Sequence, residues 1–163
     1  MSNATLNFNH YIHVHITDKG PYKYLHLDVK CGSPSILQWQ FFINSLISKM
    51  DELINTDSKF SFLIDARKIG LLDISKVKEF VKILKDRSVF IENKCICTCV
   101  VIEGGVIKML FGLFTRFYKT KKPLFFYKTY DECYNKIKLL YEDTNPSNSQ
   151  IGVDMSTLEV FDE

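Results

Sequence analysis

Long hydrophobic runs are missing from this sequence. No apolar stretch reaches the ~18 residues of a bilayer-spanning helix, so no membrane span is expected. The start, "MSNATLNFNHYIHVHI", lacks the basic opening and continuous apolar region of a secretory leader, so a cytoplasmic location is expected. An even cysteine count is missing too. Five cysteines suit a reducing compartment and argue against a disulfide scaffold. No strong excess of one charge exists either: the net is +2, too weak to mark a nucleic-acid binder. GxSxG, GxxxxGK[ST], HExxH and GxGxxG are all absent, and with them the enzyme classes those motifs announce. No internal repeat is visible, and alanine occurs only at Ala4 and Ala66.

What remains is ordinary for a globular protein, with 46% hydrophobic and 25% charged residues. The chain divides into an arm (1–9), one domain (10–143) and a polar, acidic tail expected to be flexible (144–163). From Asn145 onward the tail carries Asp154, Glu159, Asp162 and Glu163 and no Lys or Arg, so the domain before it is modestly basic. "YIHVHI" and "YKYLHLDVKC" alternate with period two around "TDKGP", which predicts a hairpin. Ile12, Val14, Ile16, Leu25, Leu27 and Val29 are expected to face the core. Tyr11, His13, His15, Tyr24, His26 and Asp28 are expected on the other face. A helix with Ser33 as N-cap and Pro34 at its first position follows, with Ile36, Leu37, Phe41, Leu46 and Met50 among its periodic apolar residues. "FSFLIDA", "CICTCVVIE" and "LFFYKT" read as buried strands. Asp73 and Asp131 are expected to cap helices between and after them. The order β-β-α-β-α-β-α-β-α predicts a mixed, mostly parallel sheet in an α/β domain.

Four groups of residues could carry chemistry. In 104–128 an apolar helix has Val106, Leu110, Leu113, Phe114 and Phe117 on a core stripe. Ile107, Met109 and Phe111, with Lys108, Arg116, Lys119, Lys121 and Lys122, are then left for a membrane or partner surface. Cys95, Cys97 and Cys99 alternate along one strand and are expected to share a face as buried small hydrophobes. Folding the hairpin about Lys19-Gly20 sets His13 opposite His26, His15 opposite Tyr24 and Tyr11 opposite Asp28. That makes His13 and His26 the weak candidates for a metal, with His15 or Asp28 as third ligand, although an amphipathic outer face without metal is the expectation. Asp65 and Glu103 both end parallel strands, where a paired-carboxylate site would sit.

The stretch "FLIDARKIGLLDISKVKEF" (62–80) carries a resemblance. Leu63-Ile64-Asp65 ends a strand, Leu71-Leu72 forms an apolar pair, and Asp73-Ile74-Ser75-Lys76 opens a helix. This resembles the STAS-like domain of anti-sigma-factor antagonists over roughly residues 10–143. In that family the quartet is Asp-Ser-Ser-Gly and its second Ser is phosphorylated, which implies Ser75 as the phosphorylation candidate. Ile74 and Lys76 depart from the pattern. The chain also resembles the lipid-associated SpoIIAA-like branch, which shares topology with CRAL-TRIO domains. The expectation is a non-enzymatic protein-interaction module, using Asp65, Asp73, Lys76 and Lys78 and needing no cofactor. A lipid or anionic membrane-surface domain using 106–122 is the second reading.

Overall fold

The computed structural model describes residues 9–119, 121–143 and 153–154. Six strands, β1 (Ile12–Asp18), β2 (Tyr22–Val29), β3 (Lys59–Asp65), β4 (Cys95–Val101), β5 (Leu124–Tyr127) and β6 (Val153–Asp154), form one sheet in sequence order. β1 and β2 pair antiparallel and every later pair is parallel, so the architecture is the expected mixed α/β. The helices are α1 (Ile36–Ile54), α2 (Ile74–Asp86), α3 (Ser88–Lys94), α4 (Val106–Phe117) and α5 (Tyr130–Glu142). Apart from Val153–Asp154, the expected flexible tail lies outside the described residues, as do residues 1–8 of the arm.

The sheet has two different faces. On one, Ile12, Val14, Leu25, Leu27, Phe60 and Phe62 pack with Trp39, Phe42, Leu46 and Met50 of α1, and with residues of α2 and α3. On the other, Tyr24, Leu63, Cys97, Cys99 and Phe125 pack under Cys133 and Ile137 of α5. The expected inward face of the hairpin is therefore correct, while the face carrying Tyr24 and His26 is largely covered. Tyr11, expected outside, is buried at the start of the hairpin, against Trp39 and Phe42.

Several local expectations are corrected. The hairpin register is offset by two residues: His15 lies opposite His26, His13 opposite Asp28, and Thr17 opposite Tyr24. The cause is that four residues, Lys19 to Tyr22, lie between the paired Asp18 and Lys23, with Gly20 at φ +83° and its N–H donating to Asp18 Oδ1. An even offset keeps every side chain on its face and changes only its partners. The cap of α1 is Ser35, in a reciprocal capping box with Gln38, and not Ser33. The start shifts, and the buried face becomes Trp39, Phe42, Ile43, Leu46, Met50 and Leu53, leaving Ile36 and Leu37 exposed. Thr129, not Asp131, caps α5, and Asp131 sits in the first turn, where the helix dipole favours it. The short α3 was not anticipated from the pattern.

The cysteine strand is also corrected. A bulge lets β3 advance from Phe60 to Phe62 while β4 advances from Cys95 to Thr98. The extra residue turns Cys95 into the α1 side of the core, while Cys97 and Cys99 point toward α5. All three remain buried; burial pushes the Cys95 thiol up, and the contacts with Cys133 and Cys97, followed by burial, push up that of Cys99.

Candidate functional site

A cavity of about 200 Å³ lies between the sheet and the helices α1, α2 and α4. Its floor is Leu27, Phe62, Ile64, Val100 and Phe126, and its roof includes Phe80, Phe111, Phe114 and Tyr118. This lining is almost wholly apolar, with Thr98 and Lys122 among the few polar side chains. Phe111 was expected on a partner surface. It is instead half-buried, edge-on to Phe126 at 5.1 Å. Spacing explains the correction, because 111, 114 and 118 fall on one helical face and all three line the cavity. The roof is held by aromatic contacts, Phe80 with Phe114 and Phe114 with Tyr118.

At one end the cavity meets a groove lined by Lys85, Arg116, Lys119, Lys121 and Lys122, with Glu92 as its acidic residue. Ile91, Tyr118 and Lys122 line both spaces. The groove arises because the last turn of α4 and the loop after it lie beside α3 and the end of α2. Lys121 pairs with Glu92 at 2.7 Å, and Lys78 of α2 sits over the Phe117 ring of α4 at 5.3 Å. The expected basic residues Arg116, Lys119, Lys121 and Lys122 are thus brought together. The side chains of Ile107, Lys108 and Met109 lie outside the described residues.

A second, polar constellation stands on the other face of the sheet. Asp28 and Asp65 lie opposite each other near the C-terminal ends of the parallel strands β2 and β3. Arg67 grips Asp65 with two donors, Nε to Oδ1 at 2.9 Å and Nη2 to Oδ2 at 2.7 Å. The Tyr130 hydroxyl of α5 reaches Asp28 Oδ1 and Asp65 Oδ2, both at 3.0 Å. Burial opposes ionisation of Asp65, but the Arg67 and Tyr130 bonds outweigh it and hold the carboxyl below its usual range. Burial and the two neighbouring carboxylates push the Tyr130 phenol up, so it stays protonated.

All four histidines of the chain join this face in one run. Ring centroids are 5.3 Å apart for His10 and His13, 4.7 Å for His13 and His15, and 4.5 Å for His15 and His26. His26 is buried, and burial followed by the neighbouring His15 lowers its pKa to about 4. Burial, His15 and His10 also lower that of His13. The weak metal pair His13 and His26 is not a cross-strand pair in the observed register. The carboxylate partnered with Asp65 is Asp28, through Tyr130, rather than Glu103, which is exposed beyond β4. Sequence reasoning overlooked Tyr130 and Arg67. Arg67 could have been found from its place two residues after a strand-ending Asp, but nothing local marks Tyr130.

Ser75 stands in the first turn of α2. Its Oγ donates to Asp73 Oδ1, the same oxygen that accepts Lys76 N–H, and Lys76 Nζ pairs with Oδ2 at 2.7 Å. Those bonds, Lys76 first and Ser75 next, hold Asp73 well below the usual carboxylate range. Of the expected interaction residues, Asp73 and Lys76 are together, Lys78 has turned to Phe117, and Asp65 belongs to the polar face. Among the described residues, no helix is long and apolar enough to cross a membrane. No protein-family model matches the chain, and no curated protein matches it.

Proposed function

We propose that this chain is a lipid-binding domain that seats an apolar chain or ring in the cavity and the attached anionic group in the basic groove. The supporting observation is the junction of the two spaces at Ile91, Tyr118 and Lys122. A cavity of about 200 Å³ exceeds the ~150 Å³ apolar cavity that accepts benzene, so it holds a ring or a short acyl segment. Each methylene taken up contributes ~0.8 kcal/mol, and each basic residue near an anionic surface ~1 kcal/mol. The two contributions are separable by salt, which screens the groove and spares the cavity. Flotation with anionic and neutral vesicles, alongside titration with a fluorescent fatty acid, tests the reading. Saturable fatty-acid binding and salt-sensitive flotation with anionic vesicles are the expected results. Neither occurring at any salt concentration sinks the proposal.

A second reading, a protein-interaction module of the STAS-like kind, draws on the surface around Ser75. Leu71 and Ile74 are 62% and 52% exposed there, beside Asp73 and Lys76. Phosphorylation would replace the Ser75–Asp73 bond with a dianion facing a carboxylate, leaving Lys76 to choose between them. Intact-mass and peptide analysis of protein from its native cells checks for the phosphate. Its absence under every growth condition removes the switch.

A further inference from the structure

The geometry points to a divalent transition-metal site on the outer face of the hairpin, with His13, His15 and Asp28 as its protein ligands. One ligand atom from each of the three lies within 4.8 Å of the others. His13 and His15 are two apart on β1 and so project from the same face, and Asp28 is directly opposite His13 on β2. Donors on one tetrahedral ion, at ~2.1 Å from it, stand ~3.4 Å apart, so small side-chain rotations close the set.

Two features of the cluster lack a protein explanation. His15 Nδ1 is buried and has no hydrogen-bond partner among the described residues. It faces Asp28 Oδ2 at 3.8 Å, beyond hydrogen-bond range and close to the separation of two ligands on one ion. The second feature is the charge balance between Asp28 and Asp65. Tyr130 has one proton to share between the two carboxylates, and Arg67 already satisfies both oxygens of Asp65. Tyr130 divides that proton between Asp28 Oδ1 and Asp65 Oδ2 and leaves Asp28 Oδ2 without it. Among the described residues, the only basic side chain within 4.0 Å of Asp28 is His15. A cation between Oδ2, His15 and His13 completes both groups.

The surroundings are those of a built site. Tyr130 fixes Asp28 from behind, and Arg67 and Asp65 fix Tyr130 in turn, an outer shell of the kind that orients metal-bound carboxylates. His26 lies parallel to His15, with 7° between the ring planes, and so constrains its orientation. His13 is exposed, which leaves the remaining coordination positions to solvent. Two imidazoles and one carboxylate suit Zn²⁺ and its neighbours in the first transition row, whereas Mg²⁺ and Ca²⁺ prefer all-oxygen sets. An open three-ligand arrangement keeps positions free for water or an exogenous anion. This site is on the opposite face of the sheet from the apolar cavity and does not depend on it.

Calorimetric titration of the chelator-stripped, full-length protein with ZnCl₂ tests the assignment, with Co²⁺ absorption as a second readout. One ion per chain is expected, at a dissociation constant of ~1 μM or tighter, and the Co²⁺ spectrum should lack a thiolate charge-transfer band. H13Q, at an exposed position, should preserve the far-UV circular dichroism spectrum and weaken Zn²⁺ at least ~10-fold, as should D28N. Y130F, which removes the hydroxyl that orients Asp28 and links it to Asp65, should cost ~10-fold. Failure to bind Zn²⁺ overturns the site, as does a thiolate band from the five cysteines. Unchanged affinity in H13Q overturns it as well, whether or not D28N folds.

Discussion

Filling the cavity from Ala66 separates a ligand site from an ordinary packing region. Ala66 is 4% exposed, lines the cavity and follows the last residue of β3. At ~24 cal/mol per Å³, a void of about 200 Å³ withholds ~5 kcal/mol of packing free energy. Ala66→Leu adds three carbons, worth ~2 kcal/mol if they enter the void without displacing neighbours. If the region were already full, the same change would cost ~1–3 kcal/mol through overpacking. The sign of the effect therefore decides. The single tryptophan, Trp39, also lines the cavity and reports directly on it. Urea unfolding followed by Trp39 fluorescence should show a higher midpoint with unchanged slope. The melting temperature should rise by ~4–8 °C. The same substitution should weaken fatty-acid binding by ~2 kcal/mol, about thirty-fold. A lower unfolding midpoint refutes the cavity. A higher midpoint with unaltered fatty-acid binding refutes the cavity as the ligand site.

Two further perturbations probe the scaffold and the groove. A Cβ on Gly70 would lie 2.3 Å from Gly32 O, whereas one on Gly32 would find its nearest atom at 3.8 Å. Gly70→Ala is therefore expected to cost ~1–3 kcal/mol, and Gly32→Ala less than ~0.5 kcal/mol. Equal thermal melts for the two variants would contradict the close approach of these loops. Reversing Lys119, Lys121 and Lys122 to Glu should abolish flotation with anionic vesicles and weaken fatty-acid binding by more than ~10-fold, since the carboxylate is seated in the same groove. Retained flotation would place the membrane contact elsewhere.

The fold class was legible because strand-length apolar runs and helical spacing alternate cleanly after the hairpin, as at Phe60–Asp65 and Val77–Leu84. The hairpin faces followed from period-two alternation, which an even register offset preserves. Partner identities did not, because they depend on connection length, and Lys19–Tyr22 makes a longer connection than a two-residue turn. The bulge that separates Cys95 from Cys97 leaves no compositional trace, since both orientations bury a small hydrophobe. The basic half of the groove was visible as a run of lysines after an apolar helix. The cavity beneath it was not, because residues as distant as Leu27, Phe80 and Phe126 enclose it. Asp65 was readable as a strand-end residue and Asp28 as an outward-facing strand residue, while Tyr130 carried no local mark. Their meeting was not readable, since it rests on the parallel β2–β3 register and on α5 packing over that face.

The strand order has a consequence for how the chain reaches this structure. Every strand of the sheet pairs with its neighbour in sequence, from β1 through β6. Among the described residues, no strand must be inserted between two already joined, and no pairing waits for a segment several elements away. The hairpin closes across four residues, and each later strand adds to an edge that earlier residues have already formed. Loop-closure entropy is then spent in modest instalments, the regime in which a parallel sheet assembles fastest for its class. As the chain leaves the ribosome from its N-terminus, each emerging strand meets a template that is complete up to that point, and the exposed edge advances by one strand at a time.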